Sequence, residues 1–261
     1  MMKTRIQSFI AKYGNKDLMS DKNTKPWALY HQSRPDKIEN IQRYYPIVYL
    51  PWGALEYHSY HNPVGLDSIK AYNLCIDLAK ACGGLVLPPI YQAANLIKSY
   101  PGVDFKKHSI EFSESLILQT CVEYFHQLID AGFKVIVCLS GHAGEPHLNI
   151  LRQVSQDFAL LYPSHRFWTL AEFDILPIHM LEANHSALGE TSLQLFYDPE
   201  SVDLSLLPQD RPTSLIEDGI SGLDPRHANA GLGSEIAHLF ITNASKIINI
   251  LLDEAMSKNP S

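Results

Sequence analysis

The sequence predicts an α/β fold with a mainly parallel central sheet, because short apolar runs alternate with helical patterns from residue 47 onward. The clearest strand is the run KVIVCL at 134–139, which is apolar after its first residue. Such a run is typical of a central parallel strand that is covered on both faces. The segments before and after it carry apolar residues at helical spacing, which supports the same class.

The predicted elements follow this alternation along the chain. Residues 1–45 are interpreted as an N-terminal extension with short helices, one around Ile6, Phe9 and Ile10 and another within 27–45. Residues 46–261 are interpreted as a single domain. Strands are predicted at 47–50, 85–87, 134–139 and 166–170, and helices at 68–81, 113–131, 148–160 and 230–256.

Composition excludes several classes of function. The net charge is −7 and no basic run is present, which argues against a nucleic-acid or anionic-membrane surface. No apolar run approaches the ~20 residues of a membrane span, and the N-terminus does not resemble a secretory signal. The four cysteines are widely spaced and are expected to be buried, reduced thiols. We therefore expect a cytoplasmic protein.

Potential metal ligands are concentrated in the segment 50–67, which follows a strand-like run at 47–55. Glu56 and His58 are two residues apart, so in extended backbone their side chains point to the same side. His61 and Asp67 follow within the same segment. Carboxylate and imidazole groups together bind zinc, manganese or iron. The alternative is a polar loop with a hydrogen-bonded histidine, in which Asp67 caps the following helix; the two roles of Asp67 are compatible, and we expect both.

Two later segments carry the same kinds of side chain. His142 follows the strand at 134–139 directly, and His185 and Glu190 lie in the segment 181–195. Ligands of α/β proteins bind at the carboxyl ends of parallel strands. Because both of the first two histidine segments follow strands, we expect their side chains to meet at one edge of the sheet.

Taken together, these segments resemble the motifs of the creatininase (creatinine amidohydrolase) family. The first motif is GALEYHSYHNPVGLD at 53–67, the second is SGHAGE at 140–145, and the third is HSALGETS at 185–192. A weaker fourth motif is GLDP at 222–225. The resemblance extends over about residues 45–250, and the spacing of the first motif joined to the other two is specific.

The resemblance implies a three-layer α/β/α sandwich and a metal-dependent amidohydrolase. Such an enzyme cleaves a non-peptide or cyclic amide C–N bond of a small molecule through a hydroxide held between two divalent ions, which are zinc, with manganese or iron as alternatives. It also implies a homo-oligomer, often a hexamer, with active sites near subunit contacts. The segments 90–109 and 198–212 are the candidates for those contacts, since both are longer than ordinary connections.

The resemblance also assigns roles to individual residues. Asp67 is expected to bridge the two ions, and His185 to relay a proton near the bond that is cleaved. Glu190 is the preferred carboxylate of the second ion, with Glu145 in reserve, and it is counted with His185 among the catalytic residues. The complete set of expected metal ligands is Glu56, His58, Asp67, His142 and Glu190. His61 is expected to orient the site through a hydrogen bond rather than to bind an ion.

The chain departs from the creatininase motifs at several positions. The family's Gly after the first histidine is Ser59, and the glutamate found in creatininase two residues after the second-motif histidine is replaced by Gly144. The remaining departures are at Ser140, Glu145, Leu181 and Glu182. Creatininase contacts its substrate at such positions, which argues against creatinine as the substrate here. A peptide-trimming hydrolase of the same family and a non-catalytic metal-binding member therefore stay open as alternatives.

Overall fold

A parallel five-stranded sheet forms the centre of the computed structural model, which describes residues 24–105, 108–177 and 185–257. The strands lie in the order β1–β3–β2–β4–β5, and all four pairings are parallel. Their bounds are β1 Trp27–Leu29, β2 Ile47–Trp52, β3 Gly84–Val86, β4 Val135–Ser140 and β5 Arg166–Ala171. The predicted helix around Ile6 and the pair Leu181 and Glu182 lie outside the described residues.

Seven α-helices connect or cover these strands in the described part of the chain. In order they are α1 Pro35–Gln42, α2 Leu66–Cys82, α3 Glu114–Asp130, α4 His147–Leu161, α5 Leu188–Tyr197, the single turn α6 Leu215–Asp218, and α7 Ala230–Ser257. None of the helices in these ranges is both long and apolar enough to cross a membrane.

The sheet separates two hydrophobic clusters, one on each face. Successive residues of β2 alternate between them, because side chains along a strand point to opposite faces. Ile47 and Tyr49 pack in the cluster that contains α2 and α7, whereas Val48 and Leu50 pack in the cluster that contains α3 and α4. The fold is therefore a three-layer α/β/α sandwich with a mainly parallel central sheet, which confirms the predicted class.

Each predicted strand and helix from residue 47 onward is present, with bounds that differ by at most two residues. Strand β1 was not predicted, and it lies in the segment that the sequence analysis assigned to the N-terminal extension. It has three residues and pairs only with β3, at the edge of the sheet. So short an edge strand has no alternation of apolar and polar residues from which it could be recognised.

Two glycines bring the sheet edge and the start of α2 together. A Cβ atom on Gly53, just after β2, would lie 2.3 Å from the backbone nitrogen of Ser68. A Cβ atom on Gly141, just after β4, would lie 2.1 Å from the carbonyl oxygen of Asp67. Only glycine permits such close approach of two backbones. The carboxyl ends of the two central strands therefore pack directly against the first turn of α2, which carries Asp67.

Candidate metal centre

Asp67 lies in the first turn of α2 and faces two histidines. Its Oδ1 atom is 3.3 Å from Nε2 of His58, and its Oδ2 atom is 3.5 Å from Nδ1 of His142. The prediction that Asp67 also caps the helix is wrong. The helix begins one residue earlier, at Leu66, with Gly65 at the N-cap position and no side-chain cap bond. The Asp67 side chain is thus inside the first turn, and it points towards the strand ends.

The first ligand group consists of Glu56, Asp67 and His142, all of which are buried. Glu56 Oε2 lies 2.9 Å from His142 Nδ1. His142 Nε2 is 3.2 Å from the carbonyl oxygen of Ala94, to which it donates, so in the neutral ring Nδ1 is the nitrogen without a proton. The other Glu56 oxygen accepts a hydrogen bond from the backbone N–H of Ile97. These bonds hold the group in place and direct one free atom of each residue towards a common point.

The second ligand group consists of His58, Asp67 and Glu190, which are also buried. His58 Nδ1 donates to the carbonyl oxygen of Glu56 at 3.1 Å, which leaves Nε2 free. That Nε2 atom is 3.7 Å from Oε2 of Glu190. Asp67 belongs to both groups, with one carboxylate oxygen directed to each.

The geometry of both groups fits divalent cations. Glu56 Oε2, His58 Nε2 and Asp67 Oδ2 are buried without a hydrogen-bond partner, although another ligand atom lies 2.9–3.7 Å from each of them. Atoms that each bind one ion at ~2.0–2.2 Å lie about 3–3.5 Å apart. Binding of one ion by neighbouring atoms would therefore account for their close approach without hydrogen bonds. Without such an ion, burying these atoms unpaired would cost free energy.

The electrostatics of the cluster also favour cations. Burial lowers the pKa of His58, but the carboxylates of Asp67 and Glu190 outweigh burial and raise this pKa to about 9. In His142 burial acts in the same direction and is outweighed by Glu56 and Asp67, so the pKa lies well above its usual value. Conversely, burial raises the pKa of Asp67, yet His58 and His142 hold it well below its usual value. The Asp67 carboxylate thus retains its charge and attracts positive partners.

Two charged residues at this site were missed by the sequence analysis. Lys70, one turn after Asp67 on α2, is 1% exposed, and its Nζ lies 2.5 Å from Glu172 Oε1 and 3.7 Å from Asp67 Oδ1. It also donates to Oε1 of Glu190. Burial lowers the pKa of Lys70, but Glu172, Glu190 and Asp67 outweigh it and raise this pKa. Glu172 directly follows β5, so the strand-end rule that drew attention to His142 applies to it as well.

His185 lies beside the second group. Its ring centroid is 4.4 Å from that of His58, and its Nε2 donates to the carbonyl oxygen of Tyr57 at 3.1 Å. Its backbone N–H donates to the carbonyl oxygen of Ser221, which fixes the start of the third motif. Burial and the neighbouring His58 lower the pKa of His185. A ring nitrogen of His185 also lies near Glu56 and His58, in a third set of close ligand-type atoms.

The structure places the remaining candidates outside the two ligand groups. His61 Nε2 lies 3.1 Å from Oγ1 of Thr191, next to Glu190, which agrees with an orienting role. Glu145, the reserve carboxylate, is exposed and belongs to neither group. His147, at the start of α4, is fully buried, with its ring 5.2 Å from that of His142.

Comparison with known proteins identifies the family. The model of the creatininase family, described as creatinine amidohydrolase, matches residues 31–248. The chain belongs to the creatininase family. A curated creatininase-family relative, the creatinine amidohydrolase of Pseudomonas putida, is 23% identical over 202 residues, which cover 70% of this chain and 76% of the relative.

Solved creatininase structures share the fold. A Bacteroides fragilis protein assigned as a creatinine amidohydrolase is 21% identical, has a TM-score of 0.70 and covers 92% of this chain and 100% of its own. A mutant creatininase of Zn–Zn type is 18% identical with a TM-score of 0.71, over 87% of this chain and 98% of its own. A manganese form of creatininase is 19% identical with a TM-score of 0.70, over the same shares of the two chains.

Two departures from the creatininase motifs have a visible structural basis. Ser59 stands where the family has Gly, and its φ of 60° lies in the left-handed region that favours glycine. At Gly144, where creatininase has a glutamate, a Cβ atom would lie 2.7 Å from Nε2 of His142 and 2.8 Å from the carbonyl oxygen of Asn95. A side chain cannot fit there without a shift of the loop, so the second group depends on a carboxylate from another segment.

Proposed function

We propose that this creatininase-family chain is a metal-dependent amidohydrolase that cleaves a non-peptide or cyclic amide C–N bond of a small molecule. The observation that carries the proposal is the pair of buried ligand groups that share Asp67. Their unpaired oxygen and nitrogen atoms suit zinc, manganese or iron, and no thiolate is involved.

The five metal-type residues have separate tasks in this proposal. Glu56 and His142 hold the first ion, His58 and Glu190 hold the second, and Asp67 is the ligand common to both. Divalent ions bound there would supply an activated water at neutral pH and would polarise the amide carbonyl. The backbone carbonyls of Ala94 and Glu56 fix the tautomers of the two ligand histidines, so that the correct ring nitrogen faces each ion.

His185 is the proposed proton donor to the leaving nitrogen. Its Nε2–H is held by the Tyr57 carbonyl, so in the neutral ring Nδ1 is the nitrogen that can take up a proton and pass it on. The lowered pKa keeps the ring neutral before reaction, which burial and His58 both favour. The neutral ring can take the proton that the attacking water loses and give the same proton to the departing amine, after which His185 is neutral again.

The experiment that tests this function combines metal analysis with a substrate panel. We expect the full chain, purified without chelator, to contain up to two divalent ions and to hydrolyse a member of a panel of lactams, formamides and short peptides. Asp67→Asn should lose both ions and all activity, whereas Asp130→Asn, which removes an exposed carboxylate at the end of α3, should change neither.

The outcome of the panel separates the proposed function from its alternatives. Hydrolysis of short peptides alone would indicate that the function is peptide trimming rather than hydrolysis of a small-molecule amide. Bound ions without turnover on any amide would indicate a non-catalytic member. Retention of both ions by Asp67→Asn would contradict the shared role of Asp67.

A further inference from the structure

The two ligand groups differ in how their carboxylates are already engaged. In the first group, Glu56 Oε2 and Asp67 Oδ2 are buried and have no hydrogen-bond partner. In the second group, both oxygens of Glu190 are engaged, Oε1 by the Lys70 ammonium and Oε2 by the backbone N–H of Ser186 at 2.7 Å. Among the described residues, Glu56 in the first group has no lysine partner, whereas an ion in the second group must share Glu190 with the Lys70 ammonium.

Lys70 is held at that position from several sides. It is 1% exposed, and its Nζ contacts carboxylates from three separate segments of the fold: Asp67 in α2, Glu172 after β5 and Glu190 in α5. A buried ammonium with such partners has little freedom to move aside, because moving would leave Glu172 buried and unpaired.

We propose that Lys70 acts as a built-in cation at the second ligand group, so that the two metal sites are unequal and fill in sequence. This inference rests on the proposed metal-dependent function. The first ion binds to Glu56, Asp67 and His142. The second ion binds to His58, Asp67 and Glu190 against the fixed charge of Lys70, and therefore more weakly. Lys70 would be a positioning residue, since it contacts Glu190 and Asp67 rather than the substrate.

The electrostatic effect is large enough to measure. Two like charges a few ångströms apart in a buried site repel strongly, and Glu172 offsets only part of the Lys70 charge. We expect removal of the Lys70 charge to tighten the second site by ~10-fold or more. The first site should change by less than ~3-fold, because neither Glu56 nor His142 forms an ion pair with Lys70 in the described part of the chain.

The test is a titration of the metal-free full-length chain with Mn²⁺, followed by calorimetry and by the paramagnetic resonance signal of free Mn²⁺. The wild type should show one tighter and one weaker site. Lys70→Met, which keeps the length of the side chain without its charge, should bring the two affinities closer by strengthening the weaker one. Lys246→Met, which removes an exposed lysine from α7, is the matched control and should leave both sites unchanged.

A second variant should change the affinity of the second site in the opposite direction, and it tests the inference even if Lys70→Met does not fold. Glu172→Gln leaves the Lys70 charge less compensated, so the second site should weaken. Two equal sites in the wild type would overturn the inference, as would a weaker second site in Lys70→Met or an unchanged one in Glu172→Gln. Sequential binding of two ions with no amide hydrolysis would uphold the inference and remove the proposed function instead.

Discussion

His185 differs from the two ligand histidines in where its ring lies, not in the kind of hydrogen bond that fixes the ring. The ring nitrogens of His58 and His142 that face the cluster are free because backbone carbonyls take the opposite nitrogens. His185 is held in the same manner by Tyr57, yet its ring lies beside His58 rather than within either group. This placement suits a group that exchanges protons with the substrate while the ions are held by others.

We therefore expect His185→Asn to retain the fold and both ions but to lose ~10²–10⁴-fold in turnover. The asparagine amide takes the place of Nδ1, so the bond from Nε2 to the Tyr57 carbonyl is lost, but the two backbone hydrogen bonds between residue 185 and Ser221 should keep the loop in position. Turnover, metal content and circular dichroism are the measurements, and His238→Asn, an exposed histidine on α7, is the control.

The loss in His185→Asn should be smallest for substrates whose amine leaves readily, because such an amine needs little protonation. Near-normal turnover on a poor leaving group, with both ions in place, would show that His185 has only a structural role.

Single residues show how far the sequence could define the site. Glu56, His58 and His142 were predicted because each follows a strand in a recognisable motif. Lys70 was not, because one lysine in an amphipathic helix ordinarily faces solvent, and its partner Glu190 is 120 positions away in the chain. The partner of a buried charge is determined by the tertiary fold, and it cannot be inferred from the spacing of residues within one motif.

At the scale of elements, the site depends on the contact between β4 and α2. The loop after β4 carries His142 and the first turn of α2 carries Asp67, and Gly141 lies at the contact between them. The alternation of strands and helices was predictable from local patterns. The close approach of β4 to α2 was not predictable, because it depends on how two segments that are about 70 residues apart pack against each other.

Gly141→Ala should separate these two elements. The added Cβ would lie 2.1 Å from the Asp67 carbonyl oxygen, a backbone atom that cannot rotate away. We expect a loss of about 1–3 kcal/mol in the free energy of unfolding and weaker binding of both ions, since Asp67 serves both groups. Denaturant unfolding and Mn²⁺ titration would measure these effects.

Gly65→Ala is the matched control at the N-cap of the same helix. A Cβ atom there would meet its nearest neighbour, Tyr91 Cε1, at 3.4 Å, which is ordinary contact, and we expect a loss below about 1 kcal/mol with ion binding unchanged. Equal effects of the two substitutions would argue that the approach of β4 to α2 does not position Asp67.

At the scale of the whole molecule, the exposed apolar side chains indicate where copies of the chain could associate. The two long segments considered as contact regions, 90–109 and 198–212, include Tyr100 at 47% and Leu206 at 56% exposure. Exposed apolar groups of this size are common singly, but they also form the centres of subunit interfaces. The second segment is hydrogen-bonded to the metal-site region, because the backbone N–H of Asp203 donates to the carbonyl oxygen of His61.

We predict that the chain forms a homo-oligomer through these segments and that Leu206→Glu weakens it, since a buried carboxylate without a partner is costly at an interface. Leu161→Glu, at the end of α4 and outside both segments, is the control for a charge placed on an exposed leucine, which is 68% exposed there. Light scattering at micromolar concentration should give a multiple of the chain mass for the wild type and for Leu161→Glu, and a smaller mass for Leu206→Glu.

A monomeric wild type would contradict the predicted assembly, whereas dissociation by Leu161→Glu alone would indicate that the interface lies at α4. Because Asp203 is bonded to His61 near the second ligand group, dissociation through 198–212 should also lower activity, which a contact remote from the site would leave unchanged.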